Sequence, residues 1–196
     1  MRIGIFGGSF NPIHKGHLFF AETAYSELNL DQIFFVPTFS TPLKERETLL
    51  PARLRLTLLK KALRGRPYFK ISLCEMNRKG VSFTVDTLRY FRKRFKKKAT
   101  LYFLAGADTL KNFSRWKSPE EVLESCRFVV TDRPGHKTKM DRDSILYLLM
   151  KALPISASDI RRRLKNRDSI RGLVPEGTEK LLADYYKGGL RSKRMI

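Results

Sequence analysis

Short apolar runs alternate with amphipathic stretches along the first 140 residues of the chain. The runs are rich in Ile, Phe and Val, which is typical of strands buried on both faces. Strand–helix alternation indicates an α/β fold: a doubly wound parallel sheet of about five or six strands with helices on both faces. The predicted strands are 2–6, 33–37, 69–73, 101–105 and 128–131, and the predicted helices between them are 17–28, 52–63, 84–95 and 119–125.

Beyond residue 140 the pattern becomes mainly helical, with predicted helices at 143–151, 158–166 and 175–186. A length of 196 residues suits one domain. We therefore expect an α/β core over 1–140, a small helical C-terminal part over 141–188 that completes the same domain, and a basic tail over 189–196.

Charge is the unusual feature of the composition. Forty Lys and Arg residues against 19 Asp and Glu give a net charge of +21. This excess is compatible with a polyanionic partner or with a basic, solvated surface. No zinc-finger spacing or RNA-recognition motif is present, so we favour the solvated surface and consider nucleic acid an unlikely partner.

The remaining composition indicates a cytoplasmic protein. No apolar stretch approaches the roughly 20 residues of a membrane span, and the N-terminus lacks the form of a signal peptide. Cys74 and Cys126 lie far apart without metal-ligand spacing, so we expect reduced thiols. The sequence is compatible with a homo-oligomer but does not specify one.

Candidate chemistry is concentrated after the first strand, where residues 7–17 read GGSFNPIHKGH. Two of the three histidines, His14 and His17, lie here at the expected start of a helix. A metal pair and purely structural histidines are two interpretations. A phosphate site is the third, and it alone explains the glycines, the helix start and the basic neighbour together, because glycine allows close approach of the backbone and a helix N-terminus offers free N–H groups.

A second candidate anion site lies near the C-terminus, at residues 155–161 (ISASDIR). Ser156 and Ser158 place two hydroxyls at a predicted N-cap, and Arg161 follows one turn into the helix. On its own, this segment is better explained as an ordinary capped surface helix.

Together the two segments resemble the signatures of the H-x-G-H nucleotidyltransferase superfamily, which implies a Rossmann-like fold. The stretch from Glu75 to Leu88 (EMNRKGVSFTVDTL) resembles a segment of the bacterial nicotinate mononucleotide adenylyltransferases. Gly106-Ala107-Asp108 with Trp116 resembles their G-x-D…W segment, and Arg133-Pro134-Gly135 their R-P-G loop.

The resemblance implies transfer of AMP from ATP to nicotinate mononucleotide, with Mg²⁺ accompanying ATP and no metal site of the protein's own. His14 and His17 would be the catalytic donors. The implied ATP-binding residues are Gly7, Gly8, Ser9, Phe10, His14, His17, Lys44, Gly106, Ser156, Ser158, Ile160 and Arg161. The implied acceptor-binding residues are Ser9, Thr84, Asp108, Trp116 and Arg133.

Several of these residues also have ordinary structural explanations. Trp116 could stack on a pyridine ring or cover the core, and Gly106 to Asp108 could bind ribose or begin a helix. Ser82 and Thr84 are expected to cap the helix that follows them.

One position departs from the family pattern: Leu43 stands where the family has a loop histidine. Nicotinamide mononucleotide and phosphopantetheine remain alternative acceptors. Phosphopantetheine enzymes of this superfamily are typically shorter and usually carry T-x-G-H, which argues against phosphopantetheine as the acceptor.

Overall fold

A six-stranded, all-parallel sheet forms the centre of the computed structural model, which describes residues 1–40, 49–132, 143–150 and 153–188. The strand order is β3-β2-β1-β4-β5-β6, so the direction of winding reverses between β1 and β4. This arrangement confirms the predicted Rossmann-like α/β fold. The strands are β1 (Arg2–Gly8), β2 (Gln32–Pro37), β3 (Phe69–Ile71), β4 (Thr100–Ala105), β5 (Arg127–Asp132) and β6 (Ile145–Leu149).

Helices cover both faces of the sheet. Helices α1, α2, α6 and α7 contribute to one apolar cluster, and α4 and α5 contribute to the other. The described helices are α1 (Lys15–Glu27), α2 (Ala52–Ala62), α3 (Cys74–Arg78), α4 (Thr84–Phe95), α5 (Pro119–Ser125), α6 (Ala157–Asn166) and α7 (Glu179–Gly188), with 3₁₀ segments at Lys96–Lys98 and Ala107–Arg115. No helix within the described ranges has the length and apolarity needed to cross a bilayer.

Successive strand residues point alternately into the two clusters. Phe6 lies beside Phe35 in the sheet and packs into one cluster, whereas its neighbour Ile5 lies beside Phe34 and Phe103 and packs into the other. Both faces of the central strands are therefore buried, which explains why these strands are continuous apolar runs rather than alternating ones.

The helix expected at 143–151 is wrong, because Ile145–Leu149 forms the edge strand β6. It pairs in parallel with β5, with Val130 beside Tyr147. A five-residue apolar run does not distinguish a strand from a buried helix by periodicity alone, and the free edge of β5 decides the outcome. On this outer strand Leu149 remains 83% exposed.

Smaller differences affect the ends of elements. Gly7 and Gly8 extend β1 by two residues beyond the predicted strand 2–6 and pair with β2. Strand β3 is shorter than expected because α3 follows it, and α7 begins at Glu179 instead of Pro175. The predicted basic tail lies outside the described residues.

Candidate active site

A cavity of about 190 Å³ opens at the carboxyl ends of β1, β2 and β4. It lies at the point where the strand order reverses, which is the usual ligand site of an open α/β sheet. Six of its lining residues were predicted to bind ligand: Gly7, Gly8, Ser9, Thr84, Gly106 and Trp116. The sequence had not singled out the other six for binding: Thr38, Glu75, Ser82, Phe103, Ala105 and Thr109.

The two histidines lie beside this cavity, at the start of α1, and do not line it. His14 is the N-cap residue, with extended backbone angles, and its N–H donates to His17 Nδ1 over 3.2 Å. The two imidazole rings are 3.6 Å apart between centroids. Because Nδ1 of His17 accepts, its ring proton is on Nε2, and the ring can donate from its outer edge.

His14 is a neutral imidazole at pH 7. It is only 8% exposed, and burial lowers its pKa to about 4. Within the described part of the chain its Nδ1 is buried without a hydrogen-bond partner. An unsatisfied buried polar atom of this kind costs about 1–3 kcal/mol of stability.

Gly16 allows the His14 ring to take this position. A Cβ built on Gly16 would lie 3.0 Å from His14 Nδ1 and 3.8 Å from the Ile155 carbonyl oxygen. Such a contact is tighter than nine in ten real Cβ contacts, so an alanine here would push the imidazole by a few tenths of an ångström. The glycine between the histidines therefore leaves the His14 ring undisturbed in this position.

A hydrogen bond between residues 150 positions apart joins the two sequence motifs. Arg161 Nη1 donates to the Asn11 carbonyl oxygen over 2.7 Å. At the start of α6, Ser156 Oγ accepts from the Asp159 N–H over 3.1 Å and lies 3.0 Å from Ser158 Oγ. The expected N-cap is confirmed, and it lies in the same region as the start of α1.

Two predicted ATP-binding residues have buried side chains. Phe10 packs against Phe6 and against His17, whose ring centroid is 5.3 Å away, and Ile160 belongs to the apolar cluster beneath α6. Contact of either residue with a nucleotide would therefore involve its backbone.

Arg55 supports the segment that follows β1, and the sequence analysis did not predict this role. Its side chain is 1% exposed, with Nη1 donating to the Ser9 carbonyl over 2.7 Å and Nε donating to the Leu50 carbonyl over 3.1 Å. No carboxylate pairs with it among the described residues, and burial lowers its pKa. A signal existed, since Arg55 shares the i, i+3, i+4 face of α2 with Leu58 and Leu59.

The predicted acceptor side is formed by Trp116 and the start of α4. Trp116 is half-buried, packs against Phe113 and Phe128, and lines the cavity, so it covers part of the core, and its stacking on a ligand stays a prediction. The expected capping by Ser82 and Thr84 is wrong. Phe83 is the N-cap of α4 without a side-chain hydrogen bond.

The hydroxyl of Ser82 is used elsewhere. Its Oγ accepts from the Phe39 N–H over 3.3 Å, and its own N–H donates to the Ser40 carbonyl over 2.8 Å. These bonds fasten the segment before α4 to the end of β2, so Ser82 faces the cavity wall instead of the helix terminus.

Some predicted residues cannot be placed. Lys44, Leu43 and Arg133 lie outside the described residues. Asp108 lies in the 3₁₀ segment Ala107–Arg115, for which Gly106 is the N-cap, but its side chain is outside the described part. Among the described residues, no three His, Cys, Asp or Glu side chains are grouped to hold a metal ion.

Comparison with known proteins gives a consistent match. A family model described as cytidylyltransferase-like matches residues 5–163. A "Probable nicotinate-nucleotide adenylyltransferase" of Pseudothermotoga lettingae is 40% identical over 194 residues, covering 94% of this chain and 96% of the relative. A relative of the same name from Thermoanaerobacter sp. (strain X514) is 35% identical over 196 residues, covering 94% of this chain and 93% of the relative.

Solved structures agree on the fold. The Plasmodium falciparum nicotinic acid mononucleotide adenylyltransferase complexed with NaAD superimposes with a TM-score of 0.74 at 21% identity, covering 95% of this chain and 97% of the other. The same enzyme complexed with APC gives 0.74 at 20% identity, with the same coverage.

Proposed function

The chain belongs to the cytidylyltransferase-like family, and we propose that it is a nicotinate-nucleotide adenylyltransferase of NAD biosynthesis. It transfers AMP from ATP to nicotinate mononucleotide and releases pyrophosphate. The observation that carries an adenylyl-transfer site is the bond from Arg161 to Asn11, which brings both phosphate-handling motifs to one edge of the sheet. The acceptor follows from relatives of that name at 35–40% identity over 94% of the chain.

The reaction needs positioning more than acid–base chemistry. An oxygen of the mononucleotide 5′-phosphate attacks the α-phosphorus of ATP in line, forming one P–O bond while the bond to pyrophosphate breaks. That oxygen is already ionised at pH 7, so no residue has to remove a proton. Catalysis then consists of alignment and of donors directed at the developing charge.

His17 and His14 supply these donors in the proposal. Nε2 of His17 carries the ring proton, and the ring of His14, which is 8% exposed, supplies the second donor. A neutral imidazole donates one hydrogen bond, and the lowered pKa of His14 keeps that ring neutral at pH 7, which suits a reaction that transfers no proton. Arg161 uses one N–H on Asn11 and has others for the triphosphate.

The remaining contacts are assigned to the two substrates. The backbone of Gly7, Gly8, Ser9 and Phe10, the N-terminus of α6 with Ser156, Ser158 and Ile160, and Gly106 and Lys44 are proposed for ATP. Trp116, Thr84, Ser9, Asp108 and Arg133 are proposed for the mononucleotide. Trp116 offers a ring face to the pyridine at the cavity wall.

Nucleotidyltransferases of this kind generally use a divalent metal with ATP. We propose that Mg²⁺ enters on the phosphate oxygens, since Mg²⁺ retains several waters and commonly binds through substrate phosphates rather than an all-protein cage. The ion would neutralise charge on the departing pyrophosphate.

The test offers ATP together with nicotinate mononucleotide, nicotinamide mononucleotide or phosphopantetheine and measures pyrophosphate release. We expect the highest kcat/KM with nicotinate mononucleotide. Preference for either of the other acceptors would overturn the assigned substrate, and no pyrophosphate with any acceptor would overturn adenylyl transfer itself.

A further inference from the structure

Phe10 has a backbone conformation that a bulky residue rarely adopts. Its φ angle is +42°, in the left-handed region that favours glycine. Its side chain is buried in the core and packs against Phe6 and Phe35. Strained residues of this kind persist only where the surrounding structure fixes them, and they are concentrated at binding and active sites. The contacts on either side of Phe10 therefore decide whether it keeps this conformation.

Buried Arg55 fixes the residue before Phe10. Its Nη1 donates to the Ser9 carbonyl oxygen over 2.7 Å. Its Nε donates to the Leu50 carbonyl oxygen over 3.1 Å, so the planar guanidinium binds both carbonyls at once and is held in one orientation. Rotation of the Ser9 carbonyl would break a hydrogen bond made by a buried cation, which is among the stronger hydrogen bonds in proteins.

The residue after Phe10 is fixed as well. Asn11 is buried, and its side-chain Oδ1 accepts from the Leu50 N–H over 2.8 Å. Its carbonyl oxygen accepts from Arg161 Nη1 over 2.7 Å. Leu50 therefore joins Arg55 to Asn11 through its two backbone groups. The backbone of Phe10 is held from both sides, which accounts for its strained conformation.

The bond to Arg55 also sets the direction of the Phe10 N–H. The peptide between Ser9 and Phe10 is trans, so its carbonyl and its N–H point in opposite directions. Since the carbonyl points into the protein at Arg55, the N–H points away from that side chain. Within the described part of the chain, the Phe10 N–H donates to no other residue, and Ser9 lines the candidate cavity. The N–H is thus an unused donor beside the cavity.

We propose that Arg55 is a positioning residue for adenylyl transfer: through the Ser9 carbonyl it keeps Phe10 in the left-handed conformation and directs the Phe10 N–H toward a phosphate of ATP. The inference rests on the proposed function. A backbone donor fixed in this way needs no reorganisation when charge develops on the phosphate, which is the property that lowers the barrier. Because its side chain is buried, Arg55 acts through this peptide and not by direct contact with ATP.

The kinetic test compares Arg55→Lys with Arg53→Lys, an exchange at an exposed position of the same helix. A lysine ammonium lacks the planar fork that binds both carbonyls. We expect kcat/KM for ATP to fall at least about tenfold in Arg55→Lys, since one lost donor costs about 10²–10³ in rate and lysine retains part of the positioning. The KM for nicotinate mononucleotide should change less than about twofold, and Arg53→Lys should match the wild type. Equal kcat/KM in the two variants overturns the proposal.

A spectroscopic test follows the Phe10 amide directly, by NMR of the full chain with nitrogen-labelled phenylalanine. In the wild type, the Phe10 amide proton should shift downfield when ATP and Mg²⁺ are added without acceptor, as expected of an N–H that gains a charged oxygen acceptor. The Phe91 amide, inside α4, is the control and should not respond. In Arg55→Lys, the shift of the Phe10 amide at saturating ATP should be smaller. A merely stabilising Arg55 would leave that shift unchanged, because the folded fraction of the variant would respond as the wild type does.

Arg55→Gln replaces Arg55→Lys if the lysine variant does not fold, because its amide donates without burying a charge. Where neither variant folds, the wild-type spectrum decides: a downfield shift of the Phe10 amide supports the proposal and an unmoved amide overturns it. A full shift in a folded Arg55 variant also overturns it. Pyrophosphate release that persists alongside an unmoved amide refutes this inference alone, whereas absence of release with every acceptor in the wild type refutes the proposed function.

Discussion

Replacing His17 by Asn separates the two hydrogen bonds that its imidazole makes possible. Nδ1 accepts from the His14 N–H over 3.2 Å, and Nε2 carries the outer proton. Asn Oδ1 can occupy the position of Nδ1 and retain the first bond, but no atom of Asn reaches the position of Nε2. His17→Asn should therefore keep the start of α1 intact and lose only the outer donor.

The expected losses in kcat and in the free energy of unfolding follow from these two hydrogen bonds. Loss of a transition-state donor costs about 10²–10³ in kcat, or about 2.7–4 kcal/mol. The retained helix-start bond should keep the free energy of unfolding within about 0.5 kcal/mol of wild type. His17→Ala loses both bonds, so it should show the same fall in kcat and a further loss of stability of about 1 kcal/mol.

The assay measures pyrophosphate release with both substrates saturating, alongside urea denaturation of each variant. Ser26→Ala, at an exposed position of the same helix, is the control and should match the wild type in both measurements. His17→Gln, whose amide N–H reaches further out, should recover part of the turnover lost in His17→Asn. Near-normal turnover in His17→Asn would refute the donor role of Nε2, and equal destabilisation by Asn and Ala would refute the Nδ1 bond.

Three further predictions test the structure. Because burial lowers the pKa of His14 from 6.5 to about 4, the unfolded chain binds more protons than the folded chain between these pH values. The free energy of unfolding should therefore fall by about 3 kcal/mol as the pH drops from 6.5 to 4. In urea denaturation, His14→Gln should lack this pH-dependent loss. Gly16→Ala should lower kcat at least tenfold and the free energy of unfolding by about 1–3 kcal/mol. Gly188→Ala, with open space at its Cβ position, is the control and should leave kcat unchanged. Equal kcat for the two variants would contradict the packing of Gly16 against His14. In β6, Leu148→Ala should cost about 2–3 kcal/mol in urea denaturation and Leu149→Ala under about 0.5, since the first side chain is 8% exposed and the second 83%; similar costs would contradict the strand.

The sequence predicted best those elements whose environment is uniform. Strands β1, β2, β4 and β5 were found within a few residues because both of their faces are buried, which leaves an unbroken apolar run. Helix α4 was predicted with its observed bounds, because its apolar positions recur at helical spacing on one face. Strand β6 was missed because one short apolar run fits either element until a neighbouring edge selects the strand.

For the candidate site, the sequence located the motifs, and residues 155–161 remained ambiguous with an ordinary capped helix. The bond from Arg161 to Asn11 shows that this helix packs against the first motif. The bond spans 150 residues, and no periodicity in the sequence encodes such a contact. Glu75 illustrates the same limit, because its buried carboxyl accepts a hydrogen bond from Thr87, which lies on the separate helix α4.

By itself, the sequence determined the order of β1 to β5 and of helices α1, α2, α4 and α5 between them, and it placed a helix start in each of the two site motifs, because these features depend on neighbours within a few residues. The tertiary structure alone decided the charge of His14, the support of Ser9 by Arg55, and the enclosure of Glu75. The physical reason is that desolvation and hydrogen-bond partners depend on which distant segments pack around a group, and local sequence carries no record of them.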